Sequence, residues 1–211
     1  MERKLGRDNH SKISRFLSST ETATSRFILT ACAVLGPRGD QTSGCRVEWL
    51  AFCEEQDIPV KLPSFRSNRF NCYFEAAAKL LQNINAGKMF LDGGFLAHEN
   101  LLIDSVRGDA ADDTLMTLVS ALSVLFIHFT GPFWALIKSS FSLKLFSACV
   151  QELERSLADL LQDPSPIFQP TFCTPISEKF PVDGALKDAV CLFIQNLSQA
   201  NREYFINALK A

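Results

Sequence analysis

Polar aromatic residues are scarce in this chain of 211 residues, which has 2 Trp and 2 Tyr against 18 Phe. Phenylalanine offers an apolar ring with no polar handle, so the aromatic content reads as core filling rather than as hydrogen-bonding anchors. Net charge is nearly lacking too, at -2. That excludes a whole-chain field drawing it to nucleic acid or anionic lipid and leaves any such binding to a local patch. No G-x-G-x-x-G, P-loop, G-x-S-x-G, H-E-x-x-H or EF-hand loop occurs. The motifs that tie a spacing to a reaction are therefore missing, and the sequence predicts no cofactor and no small-molecule substrate.

Paired cysteine motifs are missing as well. The 7 Cys stand at 32, 45, 53, 72, 149, 173 and 191 with no C-x-x-C, and no His is placed to complete a zinc quartet. An odd number at irregular spacing predicts free, mostly buried thiols in a reducing compartment. The polar stretch Met1 to Lys12 is not followed by the apolar run and small-residue cleavage site of a secretory signal. The expected location is intracellular, in nucleus or cytoplasm.

What is present is enough apolar material for a core, with 47% hydrophobic and 21% charged residues. Its periodicity predicts a mainly α chain, an irregular helical bundle. Residues 1–25 are Ser-, Thr- and Arg-rich with few apolar anchors and read as a flexible, frayed arm outside the core. A helical domain is expected over 26–163. Within it, Arg26 to Leu35 is an apolar run whose type periodicity leaves open, and Gly36-Pro37-Arg38-Gly39-Asp40 breaks it. A short half-buried helix is expected over Arg46 to Gln56. A core-facing helix is expected from Asn68 to Leu91, stopped or kinked at Gly87, and a weaker one from Leu96 to Val106. Asp112, Asp113 and Thr114 supply capping groups for the apolar segment behind them.

That segment, Leu115 to Ile137, has no charged side chain and reaches the length of a membrane span. Gly131-Pro132, His128 and several hydroxyl residues interrupt it, and no basic cluster flanks it. A buried core helix ending near Thr130, followed by a helical turn over Phe133 to Ile137, is the preferred reading; a single membrane span is disfavoured. Ser142 to Gln162 has the cleanest amphipathic pattern, with Phe146, Cys149, Val150, Leu153, Leu157, Leu160 and Leu161 on one face, and is expected to pack on the preceding helix. The five prolines between Pro164 and Pro181 make 164–183 a Pro-rich linker or loop. Two short helices then close the chain over 184–211.

Candidates for chemistry are few. A histidine base would be His98 or His128, and His128 lies in an apolar run where a satisfied core histidine is expected. Asp104, Asp109, Asp112 and Asp113 form the densest acidic cluster, read as helix capping rather than as a metal site. No catalytic residue and no metal ligand is assigned, and the chain is not expected to be an enzyme. One constellation is both basic and aromatic: Lys61 to Tyr73, KLPSFRSNRFNCY. Its arginines can hold phosphates while aromatic faces stack on unpaired bases. The alternative is that Asn68 caps the next helix, Phe70 enters the core and the arginines are solvated or paired with Glu54 or Glu55.

The runs Glu48 to Glu55 (EWLAFCEE), Leu62 to Asn71 (LPSFRSNRFN) and Phe129 to Trp134 (FTGPFW) resemble the transposon-derived proteins of the hAT superfamily, over about residues 45–156. The resemblance implies the helical insertion of an RNase H-like transposase without the strands that carry its metal-binding carboxylates. Arg69-Phe70-Asn71 resembles the family's arginine-tryptophan-asparagine motif, with Phe in place of Trp. On this reading the chain is a transposase-derived, catalytically inactive helical module that binds DNA through Arg66, Asn68, Arg69, Phe70 and Asn71. The alternative is a helical protein-interaction module without nucleic-acid binding, whose partner is another protein or a second copy of itself.

Overall fold

The computed structural model describes residues 4–10, 21–37, 44–59, 62–63, 65, 70–96, 98, 100–139 and 142–210. The fold is mainly α, and among these residues there is no strand. The ambiguous first apolar run is helix α1 (Ala23–Leu35), started by Thr22, whose side chain accepts from the Ser25 amide. Then come α2 (Arg46–Glu55), α3 (Phe70–Gln82), α4 (Ile84–Asp92), α5 (Leu101–Ala110) and α6 (Asp113–Leu125). A five-residue π segment, Phe126–Thr130, leads without a break into α7 (Gly131–Lys138). The long amphipathic helix is α8 (Leu143–Gln162), followed by the short α9 (Pro175–Lys179), α10 (Gly184–Gln195) and α11 (Gln199–Lys210).

α3 and α6 form the spine. Ala76, Ala77 and Ala78 of α3 are fully buried, and their small side chains let α6 approach closely. The core has two main parts, and both helices feed each. The first gathers Phe27, Ile28, Trp49, Phe52, Phe90 and Ile103 around Ala76, Leu80, Leu115 and Val119. The second gathers Ile167, Leu186, Val190, Ile194 and Phe205 around Ala78, Leu81, Ala121 and Val124. Each fully buried Phe or Trp stabilises the fold by about 1.5–3 kcal/mol.

Several boundaries differ from the sequence expectation, each for a local reason. The Asn68-to-Leu91 helix is two, and the break falls at Asn83, whose side-chain amide donates to Lys79 O while its backbone amide is shared between the carbonyls of Lys79 and Leu80. Gly87 sits inside α4 without ending it. α5 starts at Leu101 because Asn100 caps it, its Oδ1 accepting from the amides of Leu102 and Ile103 at 3.0 Å. The apolar helix does not end near Thr130: the π segment runs straight into α7, and the His128 carbonyl, four residues before Pro132 and deprived of the amide that proline lacks, accepts from the Thr174 hydroxyl instead. Asp113–Lys138 is thus one 26-residue helix, by length and composition able to cross a membrane, with 78% of its most apolar window buried in the fold.

The N-terminal arm is anchored rather than wholly frayed. Leu5, Gly6 and Arg7 are buried on α5 and the start of α6. Gly6 has φ +54°, and a Cβ there would collide with Asp109, so only glycine fits. The Pro-rich stretch also packs. Ile167, in the 3₁₀ turn Ser165–Phe168, and Ile176, in α9, are fully buried.

Candidate functional site

Most of the sequence-predicted DNA-contact set lies outside the described residues: Arg66, Asn68 and Arg69 fall there, as does the side chain of Phe70. Phe70 opens α3, and Asn71 follows it, half-buried, with its Oδ1 enclosed and lacking a hydrogen-bond partner. Phe65 and Tyr73 meet edge-on at 5.0 Å between centroids. The first turn of α3 carries no acidic residue.

The acidic cluster disperses. Asp112 caps α6, accepting from the Leu115 amide at 2.9 Å, and its other oxygen accepts from the Gly6 amide at 2.6 Å. Asp104 pairs with Arg107 at 2.6 Å, and Asp113 is exposed. Asp109 does something the sequence did not predict. It is buried and accepts from the Arg7 amide at 2.7 Å and from Arg7 Nε at 2.8 Å, with Arg7 Nη2 at ion-pair distance, 2.6 Å. Burial pushes its carboxyl above the ordinary carboxylate value, with Arg7 and Arg26 pulling the other way. Beside it Arg26 pairs with Asp8 at 2.7 Å. No local spacing announces a pair so far apart in the chain, and the sequence places Asp109 only in an acidic cluster read as helix capping. Among the described residues no group of three or more His, Cys, Asp or Glu could hold a metal ion.

His128 and the thiols of Cys32, Cys45 and Cys53 are held in unreactive settings. His128 is 2% exposed, its ring lies 4.7 Å from that of Phe172, and its Nδ1 has no partner. Burial, helped by the charge of Lys187, pushes its pKa down to about 4. His98 is exposed. Burial pushes the Cys32 and Cys45 thiols up to about 12 and Cys53 up to about 11, where the nucleophilic thiolate is negligible at neutral pH. A cleft of about 840 Å³ between the N-terminal turn and α4–α5 is lined by His10, Lys88, Asp92, Asp104 and Arg107. Arg107 there is already engaged by Leu91 O, Asp104 and Asp92, so its charge is matched within the chain.

The notable surface is α8. The residues that pack inward, Phe146, Cys149, Leu153 and Leu160, occupy one side of its apolar arc, and only Cys149 among all twenty residues of the helix is buried. The other side of the arc, Val150, Leu157 and Leu161, is 36%, 37% and 51% exposed, with Glu154 between. At its start the helix protrudes: every residue from Ser142 to Leu145 is exposed.

No protein-family model, curated protein or solved structure matches the chain.

Proposed function

We propose that the chain is a non-catalytic helical module that works by binding another protein along the outer stripe of α8. The observation that carries this is the contrast in that helix between pattern and burial. A twenty-residue amphipathic helix in a monomer ordinarily spends its apolar face on its own core. Here Val150, Leu157 and Leu161 recur at the steps a partner helix reads, and Glu154 among them sets a place for a cation. A photo-cross-linking amino acid at Glu154 should trap a discrete protein adduct in cells, and Leu157→Asp should abolish it. A chain yielding no protein adduct from that position does not work this way.

The hAT resemblance carries a second reading, DNA binding through Arg66, Asn68, Arg69, Phe70 and Asn71. In its favour, the Arg-rich segment precedes a helix whose first turn carries no acidic residue, where the helix dipole favours phosphate. Arg69→Ala together with Phe70→Ala should then weaken binding to single-stranded or branched DNA about ten-fold and flatten its salt dependence. Unchanged affinity in the double variant would rule it out.

A further inference from the structure

The corner where α7 gives way to α8 differs chemically from the rest of the surface. In the last turns of α7, Trp134 and Ile137 are 38% and 37% exposed; in the first turn of α8, Leu143 and Leu145 are 84% and 40% exposed. Lys138 and Lys144 stand among them, also exposed, and neither forms an ion pair with a described residue. Between Asp113 and Glu152 the sequence contains no carboxylate, so the corner is cationic in a chain whose net charge is -2. The carboxylates that follow are those of Glu152, engaged by Lys179 of α9 at 3.0 Å, and Glu178 beside it.

We propose that this corner docks on an anionic lipid surface, lying in the interface without spanning it. The chemistry of the corner matches that environment part by part. A tryptophan with its indole N–H favours headgroup depth, and leucines at a protruding helix start reach the acyl boundary. The two lysine stems run along apolar surface while their ammonium groups meet lipid phosphates and carboxylates. No described carboxylate pairs with Lys138 or Lys144, and a negative membrane surface supplies that counter-charge. The acidic part of α8, with Glu152, Glu154 and Asp159, is repelled by the same surface, so the helix meets it by its N-terminal end. The buried length of the helix, from Leu115 to Pro132, stays in the core throughout. This goes beyond protein binding by the outer stripe, and neither depends on the other.

The test uses the purified full chain with vesicles of phosphatidylcholine containing phosphatidylserine, against phosphatidylcholine alone. Trp49 is fully buried, so a blue shift of fluorescence on adding vesicles reports Trp134. The expected result is co-flotation and a blue shift with the phosphatidylserine vesicles, both weakened by salt. Leu143→Glu should lower the partition about ten-fold, and Lys138→Glu with Lys144→Glu by a similar factor. All these side chains are exposed, and an unaltered circular dichroism spectrum checks that the variants fold. Absence of flotation, equal binding to the neutral vesicles, or binding indifferent to Leu143→Glu would each overturn the proposal. So would a dimer in solution that Leu143→Glu dissociates, which assigns the corner to a second copy of the chain. Because the assay contains no other protein, its failure leaves the cross-linking reading of α8 standing.

Discussion

His128 shows how one buried group couples this fold to pH. The unfolded chain offers an imidazole of ordinary pKa near 6.5, whereas burial holds the folded one at about 4. Between those values the unfolded state binds more protons, so acid favours unfolding. The stability contributed by keeping His128 neutral is complete above pH 6.5 and falls as pH drops towards 4. From pH 7 to pH 5 the loss is about 2 kcal/mol. Urea unfolding at the two pH values should show that difference in the wild-type chain and a clearly smaller one in His128→Leu. An equal acid sensitivity in the variant would place the cause in another group. The Thr174 hydroxyl donates to the His128 carbonyl at 2.7 Å, so the site also fastens the entry to α9 to the π segment. The buried ion pair of Arg7 with Asp109 acts at the same scale. Removing either partner strands a charge inside, at a cost of about 3–5 kcal/mol, although the intact pair adds much less.

At the scale of elements, most helices were legible because their apolar residues follow the helical period and their caps are local. Asp112 before α6, Ser142 before α8 and Asp183 before α10 each accept a backbone amide three residues on. Where a helix boundary departs from the periodic pattern, the deciding contact is short in reach but not periodic, as with the Asn83 amide between α3 and α4. The π segment was not legible, since Phe126–Thr130 has the composition of any buried helix and the extra residue per turn depends on what packs around it. The exposed stripe of α8 was hidden for the opposite reason. Periodicity gives the width of an apolar arc, and it says nothing about how much of that arc a neighbouring helix covers. The docked N-terminal turn was illegible because its anchors, Asp109 and Asp112, lie about a hundred residues away along the chain.

At the scale of the whole molecule, the question is whether the C-terminal helices are an appendage or part of the body. Two observations make them part of it. α10 and α11 pack on α3 and α6, the helices that also build the first core, and Phe205 of α11 is fully buried beside Phe168 at 5.4 Å between ring centroids. The two cores therefore share their central helices, so melting one removes a wall of the other. Phe205→Ala leaves a cavity where a ring had been and should lower the free energy of unfolding by about 3–5 kcal/mol. If the cores are coupled as described, the loss will be felt at Trp49, which sits in the first core. Its fluorescence and the far-ultraviolet circular dichroism should then shift to lower urea together, as one transition. A variant whose Trp49 signal keeps the wild-type midpoint while helix content falls early would show that 184–210 unfolds as a separate unit.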